Sequence, residues 1–282
     1  MSTSKRSWVR LVWYGMVCVL LLSLLICEIG REAIFGREAW KDSGLGDSLY
    51  ATVTRLIGGV LGIVLILYCN YGNILKLHVR TLGQSILLTL PCWIIAINNF
   101  PWIPFCMEKA AVTSSAGMIF LYALQCFAVG LFEETAFRGC IFMLILQKRR
   151  ESVLQIFWSI VLSSAVFGAI HMVNLLAGAS PLSVILQIGY SFLIGGMCSV
   201  VLMKTGSIWH CVLLHAVYNF CGGVIPTLGE GKIWDMPTVV LTVVLSLLVT
   251  AYVIRLLVLM KPQETDKLFS REGEKSEQGD NL

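Results

Sequence analysis

Charge is scarce in this sequence. Only 13% of its 282 residues are Asp, Glu, Lys or Arg, against roughly 25% in a typical soluble domain. That leaves too little polar surface to coat a globule in water, which excludes an ordinary soluble enzyme or binding domain. Strong positive charge is absent as well. The net charge is +4 and the basic residues are dispersed, so no nucleic-acid partner is expected. No two of the ten cysteines stand as C-x-x-C, which removes the zinc ribbon and the dithiol redox motif and leaves free thiols used as small core residues. There is no Asn-x-Ser/Thr sequon, a weak pointer to a non-glycosylating host. Neither an internal repeat nor a second, water-soluble domain is visible.

What the sequence has in abundance is apolar run. Hydrophobic residues make up 57% of it, with a mean hydropathy of +0.79, and lipid is the solvent for such a chain. A membrane-spanning helix takes roughly 20 apolar residues. Candidates are 9–29, 51–71, 84–104, 112–134, 152–174, 181–203, 207–226 and 237–260. The expected fold is therefore all-α, a polytopic membrane bundle of about eight transmembrane helices. The first run follows Lys5, Arg6 and Arg10 and ends without a small-x-small cleavage site, so it reads as a retained helix rather than a signal peptide. The third run is the weakest, with Pro91 inside it and Asn98 and Asn99 near its end. The fourth does not stop cleanly, because apolar sequence resumes at 139–146; a long, tilted or broken helix near Arg138 is expected. The chain divides into N-terminal helices 1–111, a motif-bearing segment 112–226, a last helix 227–260 and a polar, disordered tail 261–282. Lys76 and Arg80, then Lys148–Arg150, then Lys204, then Arg255 and Lys261 fall after alternate spans. The positive-inside rule puts these loops and both termini in the cytoplasm.

Ionisable residues inside membrane helices are costly, and most are functional. Three clusters qualify. Glu133, Glu134 and Arg138 follow the apolar run 118–132. Glu134 and Arg138, four apart, share a helix face and can pair, while Glu133 points about 100° away and stays available. A solvated helix end is the plain alternative. His171 lies late in its helix, where a histidine bonded to a neighbour is as common as a functional one. His215 and Asn219, four apart, face the same way, though polar residues at such spacing can simply join helices. At about 1.5 Å per residue, Glu133 and Asn219 both sit roughly 22 Å from the basic end of their helices, and His171 roughly 30 Å from its own. Three separate helices thus carry rare polar groups at loosely similar depth.

Glu133, His171, His215 and Asn219 have the parts of a water-activating hydrolase. A carboxylate takes the proton from water, and imidazole and amide donors steady the oxyanion. No serine or cysteine nucleophile is needed. The same groups could hold a metal, since Glu133, His171 and His215 are ligand types that suit zinc.

Glu-Glu-x-x-x-Arg, then Phe167-x-x-x-His171, then His215-x-x-x-Asn219, each on its own membrane helix, resembles the CPBP intramembrane proteases, the CAAX-processing and bacteriocin-processing or Abi family. The approach Gly206-Ser207-Ile208-Trp209 is similar to that family's as well. The resemblance spans about residues 112–225. It implies an endopeptidase in which Glu133 and His171 activate water, His215 and Asn219 form the oxyanion hole, and Glu134 with Arg138 is a supporting ion pair. It also implies a membrane-associated peptide or protein substrate, prenylated or bacteriocin-like, and leaves both a metal-free glutamate mechanism and a divalent-metal mechanism open. The expected location is a bacterial plasma membrane, with the endoplasmic reticulum as alternative. Two other classes stay in view: a non-catalytic immunity or scaffold protein of the same fold, and a proton-coupled transporter using Glu133. The repeated halves common in transporters are not found.

Overall fold

The computed structural model describes residues 44–176 and 178–269; the expected first helix, 9–29, lies outside them. The described residues form an all-α bundle. α1 (Gly44–Tyr68) leads through two 3₁₀ turns to a bent pair, α2 (Leu82–Leu88) and α3 (Leu90–Asn98), and to the short α4 (Trp102–Cys106). After strand β1 (Ala110–Val112) come α5 (Ala116–Glu134), a π-helical stretch over Thr135–Phe142, and α6 (Met143–Lys148). α7 (Val153–Ile170), α8 (Pro181–Thr205), α9 (Ile208–Leu228), strand β2 (Gly229–Gly231) and α10 (Met236–Val258) complete it. Among the described residues six helices are long and apolar enough to cross a membrane, or seven if the bent pair counts as one span. The chain is thus a multi-pass membrane protein.

Local chemistry explains the departures from unbroken spans. The third run is bent by 64°. Pro91 occupies the first turn of α3 and cannot donate the backbone bond that would carry a helix through. Thr89, at the joint, donates to the Ser85 carbonyl at 2.8 Å and accepts from the Trp93 indole at 3.1 Å. The fourth span begins at Ala116 rather than 112, capped by Ser115, whose side chain accepts from the Met118 amide. Residues 110–112 instead pair antiparallel with 229–231, Ala110 opposite Gly231. From Ala116 the apolar helix runs through to Lys148 over 33 residues, so it widens into a π turn at Arg138 rather than breaking.

Glycines let the motif helix sit deep in the bundle. A methyl group at Gly58, Gly59 or Gly62 of α1 would collide with Phe132, Leu131 or Thr135. One at Gly130 would meet the Val212 carbonyl of α9 at 2.7 Å. Small residues at these crossings bring backbones close, the usual device where lipid supplies no hydrophobic drive between helices. The largest core cluster runs through α1, α3, α5–α6, α8 and α9, and includes Met143, Leu146, Val201, Leu202, Ile208 and Leu214.

The start of the tail departs from the disorder expected of it. Pro262–Leu268 forms a 3₁₀ turn with Thr265 and Leu268 fully buried. Lys204 binds Glu264 at 2.9 Å, Lys267 donates to the Lys204 carbonyl at 2.8 Å, and Arg150 pairs with Asp266. Phe269 meets the Tyr71 ring edge-on and lies under Arg150. Low hydropathy hid a segment held by ion pairs to the basic loops and by two apolar anchors. Residues 270–282 lie outside the described part.

Candidate active site

The site forms where the end of α5 and its π extension face α7, α8 and α9. Thr135 opens the π turn, and its hydroxyl donates to the Leu131 and Phe132 carbonyls at 2.8 and 3.0 Å. π segments inside α-helices are frequent at functional sites. Here it sits directly after Glu133 and Glu134.

Glu134 is the buried centre. It is 0% exposed, and Arg138 only 1%. Its Oε1 lies 3.1 Å from Arg138 Nη1, which confirms the four-residue pairing. That contact is close enough for an ion pair but is not aligned as a hydrogen bond, and Arg138 Nη1 and Nη2 have no hydrogen-bond partner among the described residues. The same Oε1 lies 2.7 Å from Nδ1 of His215. An ionised carboxylate can only accept, so Nδ1 carries the hydrogen and donates it. Arg138 is further held over the Phe167 ring, 4.3 Å from its centroid.

Glu133 does not point away alone, as simple helical geometry suggests. Its Oε2 lies 3.5 Å from Nε2 of His215, and its side chain is 18% exposed. The His215 ring is therefore flanked by a carboxylate at each nitrogen. Glu134 is the sealed one and Glu133 the partly exposed one. His171 is half-buried at the junction of α7 and a 3₁₀ turn, its ring 5.4 Å from Phe167; Phe167 in turn lies 6.1 Å from His215. The Phe167 ring thus joins both histidines and the guanidinium. Asn219 is half-buried one turn beyond His215 on α9, beside Tyr218, whose ring is 6.3 Å from Tyr190 of α8. Direct contacts thus join Glu133, Glu134, Arg138 and His215, and aromatic packing brings in His171. No contact of the Asn219 side chain enters this set; its place follows from helical spacing.

Sequence reading missed several neighbours. Gly195 of α8 makes the room Arg138 needs, since a methyl there would stand 3.0 Å from Nη2 and 3.0 Å from Ser164 Oγ. The Gly195-Gly196 pair in an otherwise apolar helix was the available signal. Cys198 and Cys211 also reach the site. With Glu134 they form a fully buried group whose ligand atoms lie within 4.8 Å of one another, and by spacing it could hold a metal ion. Its chemistry fits a cation poorly. Arg138 already supplies positive charge to Glu134, and the Cys211 thiol donates to the Cys198 carbonyl at 3.1 Å, whereas a metal ligand is a thiolate. Among the described residues that group, and not Glu133, His171 and His215, meets the spacing.

Residues 115–221 match the family described as Type II CAAX prenyl endopeptidase Rce1-like. No curated protein and no solved structure matches the chain.

Proposed function

From residues 115–221, which belong to the CPBP/CAAX protease family, we propose that the protein is an intramembrane endopeptidase that uses Glu133 to activate water. The substrate is a membrane-associated peptide or protein, prenylated or bacteriocin-like. The observation that carries this reading is the Glu133–His215–Glu134–Arg138 chain, with distances of 3.5, 2.7 and 3.1 Å. A buried cation holds one carboxylate, that carboxylate fixes a histidine by its Nδ1–H, and the histidine presents Nε2 beside the second, partly exposed carboxylate. A purely structural ion pair needs only the first step.

In this reading Glu133 takes a proton from water as the water oxygen attacks the peptide carbonyl carbon. The carbonyl oxygen becomes an oxyanion, and Asn219 and His215 donate hydrogen bonds to it; because its Nδ1–H is held by Glu134, His215 donates from Nε2 as the imidazolium, with a hydrogen on both ring nitrogens. His171 helps hold the attacking water. When the tetrahedral intermediate collapses, the C–N bond breaks and the proton held by Glu133 passes to the leaving amine. Glu134 and Arg138 touch no reacting atom; they position His215. Every step uses protein groups and water. Zinc at Glu134, Cys198 and Cys211 is the competing arrangement, and it requires the two thiols to ionise next to Glu134.

The test is comparative proteomics of membrane peptides in cells carrying the wild type or Glu133→Gln. The reading expects substrates that stay uncut in the variant. Identical peptide patterns with altered uptake of a solute would favour the transporter. Identical patterns and identical uptake would favour a non-catalytic scaffold. The bacterial plasma membrane is the compartment we propose.

A further inference from the structure

Asn98 and Asn99 interrupt the third apolar run, and the proposed chemistry gives them no task. An amide side chain in a membrane helix earns its place by bonding across helices, and both do so here. They stand at the end of α3, the second arm of the pair bent by 64°. Asn98 donates to the Thr242 hydroxyl of α10 at 3.2 Å, and Asn99 donates to the Tyr218 carbonyl of α9 at 2.8 Å.

The Tyr218 carbonyl belongs to the peptide unit that leads directly into Asn219. A carbonyl oxygen has two lone pairs, so it takes the Asn99 amide without leaving the ladder of α9. Gly222 clears the approach. A methyl group there would run into the Asn99 amide nitrogen and the carbon that bears it, so only glycine lets that amide reach the carbonyl four residues earlier. Pro226 lies a further four residues along, inside α9. It has no N–H for the Gly222 carbonyl, and its ring presses on that group, so the helix is weakened just beyond Asn219. The Asn99 bond holds α9 on the near side of that weak point.

We propose that Asn99 is a positioning residue for the oxyanion hole: by holding the Tyr218 carbonyl it fixes the turn of α9 that aims Asn219 at the reacting carbonyl. The inference rests on the protease reading and on the donor role of Asn219 within it. The Asn98–Thr242 bond already ties the tip of α3 into the bundle, which serves packing. The Asn99 bond adds control of one helix at one residue. The bend then has a use, since an unbroken third span carries no helix end, and so no pair of amides, into the wall of α9.

The test uses the full chain in nanodiscs and an internally quenched S-prenyl peptide. Asn99→Leu keeps the volume and removes the donor. It should lower kcat by roughly 10- to 100-fold, the scale of a displacement of about 1 Å at a reacting centre, with KM and Tm little changed. In the Asn219→Ala background the same change should add almost nothing, because the group it aims is gone. Gly222→Ala should reproduce the loss although alanine is the better helix former, and Asn99→Ala with Gly222→Ala should lose no more than either alone. Hydrogen exchange over 216–224 should quicken by about 3- to 20-fold in Asn99→Leu, the range for one hydrogen bond between membrane helices. An unchanged kcat or unchanged exchange in Asn99→Leu would overturn the proposal. So would a loss that persists in full beside Asn219→Ala, or an equal loss from Thr242→Val, since either marks general loosening of the bundle. Equal cutting by wild type and Glu133→Gln would instead sink the protease reading, and exchange alone would then decide whether Asn99 holds α9.

Discussion

Replacing Glu134 by glutamine removes the one anion paired with Arg138 among the described residues, a cation 1% exposed. Breaking a buried pair from one side typically costs ~3–5 kcal/mol, because the remaining charge is left uncompensated. The same change weakens the bond from His215 Nδ1, and hydrogen bonds to charged groups contribute ~1.5–3 kcal/mol. Both contacts end on Oε1, so the losses overlap rather than add. Arg138→Met is the milder change, since His215 still holds the Glu134 carboxylate. A double-mutant cycle should show coupling on the order of 1–3 kcal/mol, as groups in contact do. With roughly 2–4 °C per kcal/mol for a chain of this size, Glu134→Gln should lower Tm by about 10 °C. A thiol-reactive dye reads this directly, because Cys92, Cys126, Cys140, Cys198 and Cys211 are buried free thiols that react only on unfolding. An unchanged Tm with lost turnover would refute the positioning role and move Glu134 into the chemistry.

His215→Ala and Asn219→Ala should each lower kcat by roughly 10²–10³, the effect of losing one oxyanion donor, with little change in substrate binding; steady-state kinetics separates the two. The C-terminal turn should loosen in acid. Burial pushes the Glu264 carboxyl up, but the Lys261 amide and Lys204 outweigh it and hold the group below its ordinary value of 4.5. Its stabilisation is therefore complete above that value and is lost as pH falls through the lowered one, which hydrogen exchange over 262–268 should register, with Glu264→Gln exchanging fast at every pH. Reporter fusions after Lys76, Arg150 and Lys261 should all read cytoplasm; a signal from the opposite side at any of them would require redrawing the spans.

Much of this was legible because membrane helices announce themselves by length and hydropathy. The runs at 152–174, 181–203, 207–226 and 237–260 agree with α7–α10 to within a few residues. The Glu134–Arg138 pair was legible too, since spacing four works within one helix. What spacing cannot show is the bond between helices. Glu134 and His215 lie 81 residues apart, and nothing local in either motif says that one carboxylate serves both arginine and histidine. The π turn over 135–142 escaped for a related reason. Thr135 and Ala136 have no distinctive period, and the contact of Thr135 with Gly62 is made across helices, where local spacing does not reach. Glu133 lies in the regular α-helix, as its spacing implied, but spacing within one helix could not show that its carboxylate reaches His215 of α9. The start of the tail, 262–268, was misread because composition registers hydropathy but not the partners that neutralise charge.

The central claim is that Glu133 is the base that activates water. The direct measurement is cleavage of a membrane-bound substrate, found by the proteomic comparison, by purified wild type and Glu133→Gln in proteoliposomes. General-base catalysis contributes roughly 10²–10⁴, so kcat should fall by that factor while the variant keeps its Tm and still binds substrate. Equal cleavage rates by the two proteins would contradict the account.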